Sequence, residues 1–511
     1  MQALSDDQRR ELLAQIAALG TDADIVNPLR QFLPLPEHGR SLDPQIMLIR
    51  GERGAGKTAL FHVLRELEKQ SIPWIDVFPT APPVKAQWIE GFSESSTEHP
   101  SANTLVLFAR SHDAIALRMM WLGHLAGVLA TATGIPFEAP SYQVWKDQRT
   151  EPAAWARAVA SEIGRIEAWL EQVDRQLAAE SRYAYVSYDH LDKVGATDRV
   201  ERDRLVAALL ALWLSLSTRY KAIRAKMFIR EDLFETGLKS STDATKLKAR
   251  SVSLSWTTEN LYRVVIRHMS NPSVQLRRWL QEVAKVPLTD HAQLGWLPPT
   301  SMPDGDGNLK KVTKPKDQLE LAIPSPSAPE EDENPEIFTQ RSFASALAGA
   351  TMGEGVNKGY VHRWIPSHLQ DAHQAVLPRS MLNLFVNSAE QAIKRKPKGI
   401  HQQIFKSEEL QAGLEATSLS RVQELAEEYP VVQRLARLRG LSLMAEHAEV
   451  VSRLSNRSDS EDQFGADGEA VLDELIRLGV AKKRDDDRID IPDLYRYGYG
   501  IKRKGGVARP K

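Results

Sequence analysis

Gly51-Glu52-Arg53-Gly54-Ala55-Gly56-Lys57-Thr58 is the stretch on which the reading of the whole chain turns. It has the form G-x-x-x-x-G-K-[S/T]. In this form glycines let the backbone turn so that successive N–H groups point at phosphate oxygens. The flanks supply a context that a chance glycine-rich turn lacks. Gln45-Ile46-Met47-Leu48-Ile49-Arg50 reads as a short buried strand entering the loop, and a helix is expected from Lys57 to about Lys69. A helix starting there aims the positive end of its dipole at the same anion. On this reading Gly51, Glu52, Arg53, Gly54, Ala55, Gly56, Lys57, Thr58 and Ala59 surround the phosphates of a nucleoside triphosphate, taken as ATP. The Lys57 ammonium reaches the β- and γ-phosphates, and the Thr58 hydroxyl binds Mg²⁺.

A loop of this kind works with a carboxylate from a neighbouring strand that holds the metal shell. Tyr183-Ala184-Tyr185-Val186-Ser187-Tyr188 reads as a buried strand ending at Asp189, which makes Asp189 the candidate metal carboxylate. Asp192 is a candidate for polarising the attacking water, with His190 a weaker one; the bland reading of Asp192 is a helix cap or a solvated acid. No glutamate directly follows Asp189, so slow hydrolysis or a role for Asp192 is expected. Arg230 closes a further expected strand, Ala225 to Ile229. There a guanidinium senses the γ-phosphate or stabilises the transferring charge; the alternative is a surface ion pair with Glu231 or Asp232.

Around these motifs strands alternate with helices, which implies a parallel sheet with crossover helices. The first segment reads as an amphipathic helix through Leu12, Leu13, Ile16 and Leu19. Further strands are expected at Ile72 to Phe78, Thr104 to Phe108 and Val252 to Leu254. Helices are expected at Asp113 to Ala130, Pro152 to Ala179, Arg202 to Leu216 and from Thr258. The domains expected are residues 1–44 (a helix and an adenine-side segment), a core over 45–297 with a helical insert at about 80–180, and a disordered linker at 298–337. A helical lid over 338–454 and a winged-helix domain over 463–511 follow. In the last, a helix at Ala470 to Leu478 precedes two strands joined by Asp485-Asp486-Asp487.

The 511 residues carry a formal net charge of −1, so attraction to nucleic acid has to come from a local patch. Without cysteine, disulfides, thiolate zinc sites, iron–sulfur clusters and a cysteine nucleophile are excluded. The polar N-terminus is no signal peptide, and no apolar run of the roughly 18–20 residues that span a bilayer is expected. These features suggest a cytoplasmic protein with no membrane partner.

Gly-Glu-Arg-Gly-Ala-Gly-Lys-Thr, then Tyr188-Asp189-His190-Leu191-Asp192, then Phe228-Ile229-Arg230-Glu231-Asp232-Leu233-Phe234 resemble the nucleotide core of STAND and KAP-type P-loop ATPases, relatives of AAA+ proteins. The resemblance covers about Asp24 to Asn271. It implies that Gly51, Gly56, Lys57 and Thr58 bind phosphate and Mg²⁺, that Asp189 binds the metal shell, that Asp192 is the second acid and that Arg230 is the sensor arginine. Lys193 departs from the family, which often has an acid or an arginine there, and the interval between the two nucleotide motifs is long. The C-terminal part is similar to the lid and winged-helix tail of several such ATPases, including origin-recognition types. Leu377-Pro378-Arg379-Ser380 resembles the start of a lid helix with a second sensor arginine. Tyr495 to Lys504 resembles closing segments of bacterial ATPases that look like anti-phage defence components.

The closing residues interleave tyrosines with Arg496, Lys502, Arg503, Lys504, Arg509 and Lys511. Either the cations sit on phosphates and the tyrosines stack on bases, or the tyrosines pack on the wing. Three functions follow as expectations. One is a homo-oligomeric regulatory ATPase, set in anti-phage defence by the resemblance, that switches with nucleotide and controls a separate effector protein. Another is a DNA-binding initiator or mobile-element ATPase, and the third a scaffold held by nucleotide. Arg224, Arg250 and Arg267 are unranked arginine-finger candidates, and the adenine pocket is expected near Ile25 to Leu33.

Overall fold

Leu48 and Ile49 are buried because the strand they form has a neighbour on both edges and layers on both faces. The computed structural model describes residues 4–19, 28–94, 96–194, 198–240, 244–271, 273–286, 288, 301–303, 309–311, 335–353, 358–395, 401–455 and 464–503. The first helix, α1 (Asp6–Ala17), is capped by Ser5 and Gln8 in a reciprocal pair. Two short helices follow, α2 (Pro28–Gln31) and α3 (Pro36–Arg40), then β1 (Leu48–Gly51) and α4 (Lys57–Gln70). Next come β2 (Lys85–Phe92), four helices α5 (Ala102–Ser111), α6 (Ala114–Thr133), α7 (Pro140–Asp147) and α8 (Pro152–Ala179), and β3 (Arg182–Tyr188). The series continues with α9 (Arg199–Arg219), β4 (Ile223–Arg230), α10 (Glu231–Ser240), α11 (Ala244–Ala249) and β5 (Ser251–Ser253).

The five strands form one sheet in the order β2-β3-β4-β1-β5, and every pairing is parallel. Two polar anchors set where its central strands start. Buried Lys226 donates to the carbonyls of Ser41 (2.7 Å), Asp43 (2.6 Å) and Ile46 (2.7 Å), pinning the chain that enters β1 to β4. Asp174 of α8 accepts from the N–H groups of Lys221, Ala222 and Ile223, fixing the start of β4.

Two expected strands are helical instead. At Ile72 to Phe78, Ser71 closes α4 in a left-handed conformation (φ 56°), Pro73 follows, and Trp74–Asp76 is one 3-10 turn. At Thr104 to Phe108 the chain is inside α5. The Ser101 hydroxyl accepts from Thr104 N–H, and Leu105, Phe108 and Ala109 recur at helical spacing on the buried side. The strand missing from the sequence reading is β2. It lies at the sheet edge, where Gln87 and Glu90 interrupt its apolar side chains, so no continuous apolar run marks it. The expected helical insert at 80–180 therefore contains a sheet strand as well as α5 to α8.

The expectation of no long apolar run is also corrected. α6 is 20 residues long and apolar enough, by length and composition, to cross a membrane. Here its Leu117 and Met120 to Ala130 are buried in the core of this unit.

Close contacts divide the chain into Ala23–Ser255 and a second unit made of Met1–Asp22 with Trp256–Lys511. This differs from boundaries at residues 44 and 297. α1 joins the second unit because Leu12, Leu13 and Ile16 are buried and Arg9 makes a buried ion pair with Glu409 at 2.6 Å. That unit continues with α12 (Thr258–Ser270), α13 (Val274–Glu282) and a hairpin of β6 (Ser301–Pro303) with β7 (Leu309–Lys311). Most of the expected linker, including 312–334, lies outside the described residues. Helices α14 (Pro335–Ala348), α15 (Val361–Leu369), α16 (Pro378–Arg395) and α17 (Ser407–Glu428) come next. A 3-10 segment, Pro430–Leu438, leads to β8 (Ser442–Leu443), β9 (Ala445–Glu446), α18 (His447–Leu454), α19 (Gly468–Arg477), β10 (Lys482–Lys483) and β11 (Arg488–Asp490). The last elements are α20 (Asp493–Arg496) and β12 (Lys502–Arg503). One small antiparallel sheet has the order β10-β11-β9, and β12 pairs with β8 in parallel.

Histidines buried as neutral rings make the sheet-bearing unit acid-sensitive. Burial lowers the pKa of both His38 and His124 to about 3. In each, Nδ1 already accepts a hydrogen bond, from Leu35 N–H (3.0 Å) and from the Trp145 indole (3.0 Å), so it has no room for a proton. The unfolded chain takes up protons below pH 6.5 and the folded one does not, so stability is full above 6.5 and is lost as pH falls. At pH 5.5 the loss is about 1.4 kcal/mol for each ring. Melting scans of the chain should show a lower midpoint at pH 5.5 than at 7.5, with part of the difference removed in His124→Gln. A midpoint that is flat or rises toward pH 5.5 contradicts the neutral assignment.

Candidate functional site

Parallel strands bring the loops that follow them to one edge of a sheet. At that edge Gly51 ends β1, Ser93 follows β2, Asp189 follows β3 and Arg230 ends β4. β4 lies between β1 and β3, and Arg230 is the register partner of Gly51. Lys57, Thr58, Asp189, Asp192 and Arg230, named from sequence, thus all sit at the same end of one sheet.

The loop has the backbone its glycines were expected to allow. Gly54 and Gly56 have φ of 91° and 95°, in the left-handed region that disfavours a side chain. Gly56 precedes Lys57, the first residue of α4, whose Leu60, Phe61, Val63, Leu64 and Leu67 fix it to the core. The first N–H groups of a helix have no acceptor within it, and here they open toward the loop. The half-buried Lys57 ammonium donates to the carbonyls of Gly51 (2.7 Å) and Glu52 (3.0 Å) across the turn. Burial lowers its pKa, with Asp192 and then Asp189 opposing.

Asp189 is only 2% exposed, and its N–H donates to the carbonyl of Phe92 (2.9 Å), tying the ends of β3 and β2 together. Its Oδ2 has no hydrogen-bond partner; the His190 Nδ1 lies 3.7 Å away. Burial raises the pKa of this carboxyl, against the pull of His190 and Lys57. A buried carboxylate oxygen without a partner is costly, and a cation at this edge relieves that cost. Among the described residues no cluster of three or more His, Cys, Asp or Glu could hold a metal. The donor set is one carboxylate and one hydroxyl, Asp189 and Thr58. It fits Mg²⁺, which takes few protein ligands beside water and phosphate oxygens.

His190 turns the chain after Asp189 with a positive φ of 59°, and its Nδ1 is 3.4 Å from the Ser93 hydroxyl. Positive φ at a non-glycine residue concentrates at functional turns. Ser93 went unnamed in the sequence because the strand before it is the edge strand β2. Asp192 is neither a helix cap nor a free acid: its Oδ2 is 3.7 Å from the Arg230 guanidinium. Lys193, the departure from the family pattern, pairs with Glu94 at 3.2 Å and joins the loops after β2 and β3. Arg230 is buried and makes a two-pronged bond to Asp232, Nε to Oδ1 at 3.1 Å and a terminal nitrogen to Oδ2 at 3.2 Å. The ion-pair alternative for Arg230 therefore holds in detail, but inside the site and not on the surface.

Other expected residues are engaged elsewhere. Arg224 donates to the carbonyls of Ser217 and Tyr220, Arg250 to the Ser217 hydroxyl, and Arg267 is 1% exposed. Within the expected adenine segment, residues 25–27 lie outside the described residues, and Leu29, Phe32 and Leu33 are buried. Arg379 is the second residue of α16. Over 495–503 the aromatic and basic tail follows the packing alternative. Tyr495 is buried, Arg496 pairs with Asp493 over the ring of Tyr497, and Gly498 N–H donates to Ser418. Arg503 grips Asp490 with two bonds of 2.8 Å. These side chains hold the C-terminal unit together, so most are spent on folding; Lys504, Arg509 and Lys511 lie outside the described residues.

No protein-family model and no curated protein matches this chain. Among solved structures it is similar to the ORC2 protein of Aeropyrum pernix in its ADPNP–ADP complexes, with a TM-score of 0.38 and 11% identity over 89% of this chain and 86% of that one. It is also similar to CDC6P of Pyrobaculum aerophilum (TM-score 0.25, 11% identity, 97% and 96% covered). The ADP form of the Aeropyrum pernix protein gives a TM-score of 0.29 and 10% identity, with 95% and 87% covered.

The unpartnered oxygen of Asp189 gives a test that separates function from stability. Asp189→Asn removes a buried charge with little change of shape. Without nucleotide its melting temperature should equal or exceed that of the parent chain. The stabilisation that Mg²⁺ with ATP gives the parent should disappear. A variant that melts lower without ligand, yet keeps that stabilisation, contradicts the metal assignment.

Proposed function

We propose that this chain is a Mg²⁺-dependent ATP-binding protein of the AAA+-related P-loop kind, hydrolysing ATP slowly and using nucleotide state as a switch. The observation that carries this is the meeting of Lys57, the Asp189 carboxylate with its unpartnered Oδ2, and Arg230 at the edge where α4 begins. The helix start and the loop N–H groups hold the phosphates, and Lys57 exchanges its two carbonyl acceptors for phosphate oxygens. Thr58 and Asp189 would hold Mg²⁺, which would supply positive charge against the charge of the phosphates. Arg230 faces the developing negative charge from β4.

Slow turnover is the expected consequence of what surrounds Asp192. Its carboxylate is the acid placed to polarise water, yet it lies 3.7 Å from the Arg230 guanidinium, which competes with a water molecule for it. The residue after Asp189 is His190 and not a second acid. A slow site suits a switch that holds ATP until a partner acts. We read the protein as a homo-oligomer that controls a separate effector protein. The setting in anti-phage defence is supported by the likeness of the closing segment.

The C-terminal module bears on the choice between this reading and a DNA-dependent one. The order β9, α18, α19, β10, β11 supports a winged helix, with α19 as the helix that would enter a groove. Glu469, Asp473 and Glu474 lie on α19. Of the wing cations, Lys483 pairs with Asp487, Arg484 with Asp486, and Arg488 with Glu446 and Asp486. A phosphate backbone would meet acids and cations already neutralised. A protein surface suits this module better than duplex DNA.

ATP turnover by the purified chain, with and without duplex DNA, tests both readings. Turnover should be on the order of 10⁻⁴–10⁻² s⁻¹, the range of unassisted P-loop switches. It should be abolished in Lys57→Ala and Asp189→Ala and unchanged by DNA. Stimulation by DNA that falls steeply with salt would put the initiator reading first. Lys57-dependent binding without any turnover would leave the scaffold reading.

A further inference from the structure

We propose that Asp232 is the positioning residue of the site: it fixes the Arg230 guanidinium so that the chain distinguishes ATP from ADP. The inference rests on the ATP reading above and adds a residue to it.

A guanidinium buried to this degree needs a counter-charge at hand, and the planar fork of arginine matches a carboxylate best through two parallel bonds. Asp232 supplies such a pair to one edge of Arg230. Another nitrogen of the guanidinium lies 3.7 Å from Asp192 Oδ2, on the side of the loop after β3. Arg230 thus stands between two acids, one of which belongs to the metal-side loop.

Asp232 is itself mounted firmly. It lies in the first turn of α10, where the helix dipole favours a negative charge. The preceding residue, Glu231, pairs with Arg50, whose guanidinium lies 4.3 Å from the centre of the Phe234 ring. Arg50 is the residue before Gly51 and pairs in register with Ile229. The first turn of α10 is therefore fastened to the strand that carries the phosphate loop, and Asp232 holds Arg230 in a fixed relation to that loop. Without Asp232 the guanidinium would close on Asp192. Both groups would then leave the positions from which they meet a third phosphate.

The test is equilibrium binding of Mg·ATP and of Mg·ADP to the full chain and to Arg230→Ala, Asp232→Ala, Asp232→Asn, Asp232→Glu and the Arg230→Ala/Asp232→Ala pair. Melting temperatures confirm that each variant folds, and Asp232→Asn keeps the shape of the side chain. The parent should prefer ATP, and Arg230→Ala should cut that preference about tenfold, the worth of one charged hydrogen bond. Asp232→Ala and Asp232→Asn should cut it within about twofold of the same factor, and the double variant should lose no more. Asp232→Glu should recover part of it. A parent-like preference in the Asp232 variants, or losses that multiply in the double variant, overturns the proposal and leaves the ATP reading intact. Binding that Lys57→Ala does not weaken, or no binding by the folded parent, removes the ATP reading and this proposal with it.

Discussion

Ionised groups at the end of an apolar sheet are costly unless opposite charge lies within a few ångströms. Five such groups meet at the C-terminal edge of this one: Lys57, Asp189, Asp192, Arg230 and Asp232. The arrangement depends on β4 lying between the strand that enters the phosphate loop and the strand that delivers Asp189. That order sets Arg230 in register with Gly51 and brings Asp192 to 3.7 Å from its guanidinium. Lys226 and Asp174 fix the opposite ends of the same strands. A slip of one residue in β4 would turn Arg230 away from the edge.

The balance of charge at the edge is uneven. Arg230 has two acids, and Lys57 is held by two carbonyls. One oxygen of Asp189 has no hydrogen-bond partner. This oxygen is poorly served by the protein alone, which is why it speaks for a cation brought in with a ligand. A polyphosphate with Mg²⁺ would supply both an anion for Lys57 and a cation for Asp189.

How much of this was legible in the sequence depended on whether the signal was local. The phosphate loop was readable because its glycines, lysine and threonine are contiguous and flanked by an apolar strand and a helix. Asp189 and Arg230 were readable because each ends a buried strand, where the apolar run stops at a charge. β2 was not, since an edge strand is half polar, and Ser93 was lost with it. Thr104 to Phe108 was misread because the four apolar residues Leu105 to Phe108 suit either element, and the capping hydroxyl of Ser101 decided for the helix. Arg496 and Arg503 looked available for nucleic acid because their partners, Asp493 and Asp490, are invisible in composition. The division of the chain was hidden for a similar reason. α1 joins residues some 400 positions later through Arg9 and Glu409, which no local pattern announces.

A crystal structure of the chain with Mg²⁺ and a non-hydrolysable ATP analogue tests the central claim most directly. The account predicts the phosphates at the start of α4, Lys57 released from the Gly51 and Glu52 carbonyls onto them, and the metal beside Thr58 and Asp189. A nucleotide bound elsewhere would contradict it. So would one bound at the loop while Lys57 keeps its two carbonyls and Asp189 Oδ2 stays unpartnered.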